Sequence, residues 1–288
     1  MEVIKEYKET TSTSEYPIWI HDSEIYCDSP QLKQHLTQKL NYDDKKATKL
    51  THKVTKLLDV SSNIHYFWWK VVVQKNGQAD AIKALLESMS SVLRIHLLSV
   101  HSAGQYTALY YSADYMRSDP VKVLLECFSK EVCFQLLSDA GRIKSTPFHI
   151  ACRGGDTASV RLMLQHVLPK QRYSLLLMRD FYETTPISEA SGAGNTDIMT
   201  AIYESVTATQ WFNILHADGK EGLRMTVLQK AIYENKHASI EFIKNSVCDE
   251  LWLQLLSTPF PEYNQHYHDE VSYQQAVTRI DELRSTQR

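Results

Sequence analysis

The sequence predicts an all-α fold, a solenoid of stacked helix pairs with a helical cap at each end. Paired leucines recur at a nearly fixed interval, and a threonine that begins a helix recurs in phase with them. Each interval also contains two short stretches with the apolar spacing of amphipathic helices. Two helices of about ten residues cannot bury their apolar faces alone, so neighbouring pairs must stack on each other.

The leucine pairs set the period of the repeat. Successive pairs begin 39, 40, 38 and 41 residues apart. The pairs are Leu97–Leu98, Leu136–Leu137, Leu176–Leu177, Ile214–Leu215 and Leu255–Leu256. A fixed period in this range indicates stacked supersecondary units. A solenoid of this kind normally presents a long surface to a partner, which favours binding over catalysis.

A threonine begins the first helix of each clear unit. Its hydroxyl caps a free backbone N–H, and proline, which follows two of these threonines, suits the first helical position. Glycines end this helix at Gly154–Gly155 and at Gly192–Gly194, and β-turns are expected at Asp180–Glu183 and Asp218–Gly222. The threonines, 39, 39 and 41 residues apart, are Thr107, Thr146, Thr185 and Thr226.

A second short amphipathic helix follows in each unit. Its first apolar residues are Val121, Val160, Ile198 and Ile240. A fainter unit precedes these four, with its first helix near residues 68–73 and its second over Ile82–Leu86. Residues 127–138 and 169–179, which follow second helices, carry enough apolar positions to predict an additional helical turn.

In these repeated helix pairs the chain resembles the ankyrin repeat family. Residues 146–155, TPFHIACRGG, are similar to the family's core Thr-Pro-Leu-His-x-Ala-Ala-x-x-Gly, and residues 160–164 are similar to its second helix. Tyr110, Ser188 and Gln229 replace the histidine in the other units, and each can still form hydrogen bonds. The period exceeds the ankyrin value of about 33 residues. The resemblance, which covers about residues 64–257, implies an ankyrin-type array of four clear units and one degenerate unit.

The residues on either side of the array differ from it in sequence pattern. We expect residues 1–60 to form an N-terminal segment and helical cap, residues 61–257 the array, and residues 258–288 a C-terminal capping helix, since the exposed ends of a solenoid need covering. Within the first segment, Pro17–Tyr26 alternates like an extended strand. Two amphipathic helices follow it, beginning near Ser29 and near Asp43 or Asp44.

Composition narrows the class of function. The formal net charge is −3, so no overall charge steers the protein toward nucleic acid or acidic lipid. No apolar run approaches about 20 residues, and the first residues do not have the pattern of a signal peptide. The five dispersed cysteines form no disulfide framework and fit reduced thiols. We therefore expect a cytoplasmic protein without a cofactor.

The resemblance implies that the function lies on the surface of the array. In ankyrin-type stacks, the turn tips and the exposed side of the first helices line a concave face that binds another protein. Exposed tyrosine and arginine are favoured at such hot spots, although about half of the tyrosines would pack between units instead. The predicted binding residues are Tyr106, Tyr111, Asp114, Tyr115, Lys144, Arg153, Phe181, Tyr182, Glu189, Lys230 and Tyr233.

A lysine stripe supports an alternative function. Lys45, Lys49, Lys53 and Lys56 follow one another at helical spacing, opposite the apolar face of their helix. The alternative is a membrane-surface or nucleic-acid binding module that uses this stripe. A solvated helix face is the ordinary explanation for such a charge run, and no aromatic residues interleave to stack on bases. We expect the partner to be another protein.

The remaining candidate residues point away from catalysis and metal binding. His149 and Cys152 lie three apart on one helix, but no carboxylate has a spacing that would orient the histidine. His266 and His268 could ligate a metal only in an extended backbone, and they have no partner at a fixed spacing. An enzyme whose chemistry resides in the N-terminal segment, with residues such as His21, is a third hypothesis. We expect no metal and no enzymatic activity.

Overall fold

The computed structural model describes most of the chain. The described residues are 16–60, 63–73, 79–102, 106–141, 144–217, 225–261 and 269–286. They are mostly helical, which confirms the all-α expectation in its coarse form. The chain divides into an N-terminal body, Met1–Arg142, and a C-terminal body, Ile143–Arg288. This division falls within the predicted array, and the boundaries expected at residues 60 and 257 stay predictions.

The N-terminal body begins with a β-hairpin. Strands β1 (Ile18–His21) and β2 (Glu24–Cys27) pair antiparallel. The two turn residues, Asp22 and Ser23, have φ angles of 48° and 63°, as a two-residue turn of type I′ requires. The inward-facing residues are buried isoleucines, namely Ile18, Ile20 and Ile25. The extended backbone expected at Pro17–Tyr26 is therefore confirmed, but the turn at Asp22 and Ser23 divides it into two paired strands that the sequence did not predict.

Two helices follow the hairpin, as the sequence predicts. Helix α1 (Ser29–Gln38) has Pro30 in its first turn and begins after Asp28, whose side chain accepts from the backbone N–H of Gln31 at 2.9 Å. Helix α2 is Asp44–Val60 and packs against α1. Its buried stripe is Ala47, Leu50, Val54 and Leu57.

Helices then recur in groups of three, which we call repeats. In the N-terminal body, repeat 1 comprises α3 (Ile64–Val73), α4 (Ala79–Glu87) and α5 (Ser91–Ser99), and repeat 2 comprises α6 (Ala108–Asp114), α7 (Ser118–Glu126) and α8 (Lys130–Ser138). Helices at the same position in the two repeats pack together, α3 on α6 and α4 on α7. Helix α2 packs on α3 and α4, so it covers the first repeat.

The C-terminal body contains three further repeats and a long final helix. Repeat 3 comprises α9 (Pro147–Gly154), α10 (Thr157–Gln165) and α11 (Pro169–Leu176). Repeat 4 comprises α12 (Pro186–Ala193), α13 (Thr196–Tyr203) and α14 (Ala208–His216). Repeat 5 comprises α15 (Val227–Tyr233), α16 (His237–Asn245) and α17 (Asp249–Ser257), and the final helix is α18 (Glu270–Ser285). First helices stack in the order α9, α12, α15, and second helices in the order α10, α13, α16. Helix α18 packs on α15 and α17.

Each repeat contains a full third helix, whereas the sequence predicts only an additional turn. The leucine pairs of repeats 1, 2, 4 and 5 lie in these third helices and are buried together with a residue three or four positions earlier, as in Trp211 with Ile214–Leu215. That spacing places all three residues on one helix face. In repeat 3 the buried pair is Leu175–Leu176, one residue before the pair Leu176–Leu177 by which the period is counted in the sequence. The third helices therefore line the core of the array.

The predicted helix starts are confirmed. The hydroxyl of each threonine accepts from the backbone N–H three residues later, at 3.2–3.4 Å. The first helices of repeats 2 to 5 also end alike, because the residue after the last turn adopts a left-handed conformation. This residue is glycine in repeats 3 and 4, at Gly155 and Gly194 (φ 85°). Met116 (φ 51°) and Asn235 (φ 53°) occupy the equivalent positions in repeats 2 and 5.

Candidate interaction face

The most exposed aromatic residues among the predicted binding residues lie at the tip between α11 and α12. Phe181 and Tyr182 are each 58% exposed. Their rings are 5.5 Å apart between centroids and meet edge to face at 89°. Water reaches both rings, although aromatic side chains of this size gain several kcal/mol, roughly 2–3, from burial. The tip therefore displays apolar area that a partner could cover.

A buried aspartate holds this tip in one conformation. Asp180 is 2% exposed, and its Oδ1 accepts from the backbone N–H groups of Tyr182 at 2.9 Å and Thr184 at 3.0 Å. The main chain closes the same turn, since the N–H of Asp180 donates to the carbonyl of Thr184 at 3.1 Å. Arg179 donates from below to the carbonyl of Glu183 at 2.9 Å. The backbone that carries the aromatic pair is thus held by hydrogen bonds within the turn itself.

Beside the tip, the first helices of repeats 3, 4 and 5 contribute a row of charges. Arg153 Nε lies 4.0 Å from Glu189 Oε2, and Lys230 Nζ lies 2.8 Å from Glu234 Oε1. Thr184, at the base of the tip, donates from its hydroxyl to Glu189 Oε1 at 2.9 Å. Positive and negative charges thus alternate along these helices, next to the aromatic pair.

Glu189 is the least solvated of these charged groups. Its side chain is 14% exposed. Burial raises its pKa above the ordinary value, while the hydrogen bond from Thr184 and the nearby charge of Arg153 act in the opposite direction. The carboxylate thus accepts a hydrogen bond from the Thr184 hydroxyl and lies near the guanidinium of Arg153.

A buried histidine joins repeats 3 and 4. His149 Nδ1 lies 2.7 Å from Thr146 Oγ1 and accepts from the Thr146 backbone N–H at 3.3 Å. Its Nε2 is 3.1 Å from the carbonyl of Thr184 in the next repeat. Both ring nitrogens therefore have structural partners, and burial lowers the pKa of the imidazole. Since the Thr184 carbonyl lies at the base of the aromatic tip, this bond links the tip to the first helix of repeat 3.

Gln229 takes the place of the histidine in repeat 5. Its Oε1 accepts from the Thr226 backbone N–H at 2.8 Å. Its Nε2 donates to the carbonyls of Thr258 and Pro259 at 3.2 and 2.8 Å. In repeat 4 the hydroxyl of Thr185 donates to Ser188 Oγ at 3.2 Å. The expectation that residues other than histidine still form hydrogen bonds here is confirmed for Gln229 and Ser188.

The predicted residues of repeat 2 lie in the N-terminal body and are less accessible than the sequence suggests. Tyr111 is buried, and its hydroxyl lies 2.8 Å from Ser102 Oγ, so the expectation that it is exposed is wrong. The ring of Tyr106 is half-buried and stacks at 4.1 Å on Tyr110. Asp114 and Tyr115 are exposed. A loop residue and a neighbouring ring cover Tyr111, which the helical pattern alone does not reveal.

The other predicted residues belong to the C-terminal body. Lys144 is exposed and has a φ of 53°, at the position in its loop that Glu183 occupies in the next one. Arg153 is exposed, whereas Lys230 is half-buried. Tyr233 is half-buried too, and its hydroxyl accepts from the backbone N–H of Asp269 at 2.9 Å. Sequence reasoning missed Asp180 and Arg179, although the predicted turn at Asp180–Glu183 pointed to the right segment.

The residues of the alternative hypotheses are placed as follows. Lys45, Lys49 and Lys56 are exposed and Lys53 is half-buried on α2. Cys152 is fully buried, and burial raises the pKa of its thiol well above the ordinary value, which disfavours a nucleophilic thiolate. His21 Nδ1 lies 3.2 Å from Asp22 Oδ2 in an exposed turn.

Across the ranges that the structure describes, no three His, Cys, Asp or Glu side chains come together in a way that could hold a metal ion. His266 and His268 lie outside those ranges, as does the turn expected at Asp218–Gly222. In the same part of the chain, no helix has both the length and the apolar character needed to cross a bilayer. No protein-family model matches the sequence, and a search of curated proteins finds no match.

Proposed function

We propose that the protein is a non-enzymatic scaffold of ankyrin type, which binds another protein through the tip of residues 180–184 and the adjoining first helices. The observation that carries this proposal is the exposed pair Phe181 and Tyr182, held on a turn that is closed by a buried aspartate. The face also includes Arg153 and Glu189 on the neighbouring helices.

The hydrogen bonds at the helix starts support the ankyrin relationship. His149, which follows Thr146 and a proline, bonds back to its own cap and forward to the next repeat. A left-handed glycine at Gly155 ends the same helix. The third helix and the period of about 39 residues depart from the ankyrin unit of about 33 residues. We therefore propose a variant array in which the third helix extends each unit.

Preorganisation supports a role in binding. Ordering a loop on association costs about 0.5–1.5 kcal/mol for each flexible side chain. The turn at Asp180 has already fixed the backbone of Phe181 and Tyr182, so more of the contact energy remains as affinity. Aromatic residues and arginine dominate binding hot spots, because they add large contact area and carry polar groups.

The test is affinity capture with the full chain, followed by calorimetric titration of the purified partner. The double variant Phe181→Ala/Tyr182→Ala should weaken binding about 30-fold, which corresponds to about 2 kcal/mol for a hot spot. Leu253→Ala is the matched control, since Leu253 is 46% exposed on α17 and should leave the affinity unchanged. A partner that binds both variants as tightly as the wild type would exclude this face.

The same titration separates the proposal from the lysine-stripe alternative. If the stripe bound phosphates through four lysines, raising salt from about 50 to about 200 mM would weaken binding roughly 100-fold. Lys49→Glu would weaken it further. The face proposed here predicts a weak salt dependence and no effect of Lys49→Glu, because Lys49, on α2, is not one of its residues.

A further inference from the structure

The lysine stripe on α2 concentrates positive charge in an otherwise acidic chain. Residues 29–58 contain seven lysines and two aspartates, a formal charge of +5, and residues 45–58 contain no acidic residue. Because the whole chain carries −3, the remaining residues carry −8. The stripe, Lys45, Lys49, Lys53 and Lys56, thus differs from its surroundings in charge, although the total charge hides it. Its role is independent of the face proposed above.

The core-facing side of α2 fixes the direction of the stripe. Helix α2 packs against α1, α3 and α4, and its core-facing residues are at most 4% exposed. The lysines leave the helix on another side, within an arc of about 80° at about 100° per residue. From Lys45 to Lys56 the stripe is about 17 Å long. A flat charged surface can therefore approach all four ammonium groups at once.

The four lysines of the stripe have no acidic partner in the described part of the chain. Other helices pair a lysine with a glutamate one turn later, at 2.8–3.9 Å between nitrogen and oxygen. These pairs are Lys83 with Glu87, Lys122 with Glu126 and Lys230 with Glu234. Like charges one turn apart destabilise a helix, so α2 keeps its stripe at a cost to its own stability.

The other groups near the stripe offer a ligand little besides charge. The hydroxyls of Thr48 and Thr51 donate to the helix's own carbonyls, those of Asp44 and Ala47, at 2.7 and 2.9 Å. Among the large apolar side chains that are exposed in the described ranges, none belongs to α2. The stripe therefore attracts a ligand by charge, without an apolar anchor.

A surface of anionic lipid meets these conditions. Its potential acts over about 8–10 Å, so the ammonium groups are attracted while they remain hydrated. Each lysine near such a surface raises the affinity about fivefold, which corresponds to about 1 kcal/mol. Because a plane meets all four lysines together, the stripe raises the affinity by up to about 600-fold.

A nucleic acid fits the same charges less well. Residues 45–58 contain no arginine, asparagine or glutamine, which are the side chains that most often read base edges. Single strands are held by aromatic side chains on which bases stack. Tyr42, which precedes α2, already lies under the ammonium group of Lys46, 4.4 Å from the ring centroid. The stripe thus favours a lipid surface.

We propose that α2 attaches the protein to anionic phospholipid bilayers through its lysine stripe. The ammonium groups lie at the level of the charged lipid headgroups. Helix α2 itself stays outside the hydrocarbon, because its apolar side is buried in the protein core. Attachment is reversible, and it weakens when added salt shortens the Debye length.

The test is flotation of the full chain with vesicles of phosphatidylcholine that contain about 30% phosphatidylserine, at about 50 and about 200 mM salt. The wild type should bind these vesicles, bind them less at the higher salt, and not bind pure phosphatidylcholine. Lys49→Gln/Lys56→Gln should lower the partition coefficient about 25-fold, about fivefold for each charge. Glutamine preserves helix propensity, and circular dichroism checks that the variant folds.

A matched control separates the stripe from net charge. Lys122→Gln/Lys130→Gln removes the same charge from exposed positions on α7 and α8, and it should change binding by less than about twofold. A second readout needs no variant. Vesicles should slow the acetylation of Lys49 and Lys56 by an amine reagent and leave that of Lys122 unchanged.

Three outcomes would overturn the proposal. One is that anionic vesicles bind the wild type no better than neutral vesicles do at the lower salt. Another is that both double variants lose the same affinity, which would show that net charge alone matters. The third is that a single-stranded oligonucleotide displaces the protein from the vesicles and protects the same lysines from acetylation, which would assign the stripe to nucleic acid.

Discussion

The hydrogen bond between His149 and the Thr184 carbonyl joins repeats 3 and 4. It gives a prediction that separates the effect of hydrogen bonding on stability from the effect of protonating the imidazole. Replacing His149 by glutamine should keep the bridge, because Gln229 already forms it in repeat 5. Replacing His149 by alanine should break the bridge. The two variants thus compare a retained hydrogen-bond network with a lost one at the same buried position, where the side chain is 1% exposed.

The expected magnitudes follow from the partners of His149. Alanine would leave the hydroxyl and N–H of Thr146 and the carbonyl of Thr184 without the imidazole. Each buried polar group left unpaired costs about 1–3 kcal/mol, although some will find water. We therefore expect His149→Ala to lower the free energy of unfolding by about 3 kcal/mol. For His149→Gln we expect a loss of about 1 kcal/mol or less, from imperfect packing.

The free energy of unfolding should also depend on pH through His149, and the pKa of the imidazole gives the direction of that dependence. Burial lowers the pKa of His149 below the ordinary 6.5, with the carboxylate of Asp180 opposing the shift and the charge of Arg153 adding to it. Below pH 6.5 the unfolded chain binds a proton that the folded chain does not. The stability supplied by the neutral imidazole is thus present above pH 6.5 and is lost as the pH falls, by up to about 1.4 kcal/mol per pH unit until the folded imidazole also titrates.

The assay is urea unfolding of wild type, His149→Gln and His149→Ala, followed by circular dichroism at about pH 7.5 and about pH 5.5. The wild type should lose more stability on acidification than His149→Gln does, and this difference isolates His149 from other histidines such as His35 and His96. Equal losses in both proteins would refute the assigned role of the neutral ring. Equal stability of the glutamine and alanine variants at the higher pH would refute the bridge.

Three other predictions concern single positions. Met116→Gly should raise the free energy of unfolding by about 0.5–1 kcal/mol, because Met116 is 59% exposed at a φ of 51° and a left-handed methionine is strained. Gly155→Ala should lower the free energy of unfolding in the same denaturation assay. Changes of the same sign in the two variants would contradict the explanation. Ala151→Asp should lower the melting temperature strongly, since it places an unpaired charge at a position that is 0% exposed; an unchanged melting temperature would refute the assigned packing. In native protein, a thiol reagent should label the exposed Cys248 while the buried Cys152, whose pKa is raised, reacts only after unfolding; rapid native labelling of both would contradict that burial.

Local chemistry made the helix starts and the extended backbone of residues 17–26 predictable from sequence, whereas the turn that folds this segment into a hairpin was not predicted. A threonine before a helix caps it wherever it lies, so Thr146 and Thr226 behave as predicted. The alternation at Pro17–Tyr26 likewise depends only on the period of a strand. In each case the residues that set the structure are neighbours in the chain.

Tertiary packing decided what the sequence did not reveal. The third helix is short, and its leucine pair looks the same in a single turn as in a full helix, so the pattern left its length open. Tyr111 is covered by Ser102, which belongs to the preceding loop. Asp180 is a polar residue that becomes buried because its turn wraps around it. None of these environments follows from spacing along the chain.

The way in which Asp180 closes its turn has an evolutionary consequence. The Asp180 carboxylate, the main chain, Arg179 and His149 supply the hydrogen bonds that hold that loop. The side chains of Phe181 and Tyr182 make none of these bonds, so mutation can exchange them while the loop keeps its shape. Such a loop can acquire a new binding specificity through substitutions at two positions, without any loss of foldability.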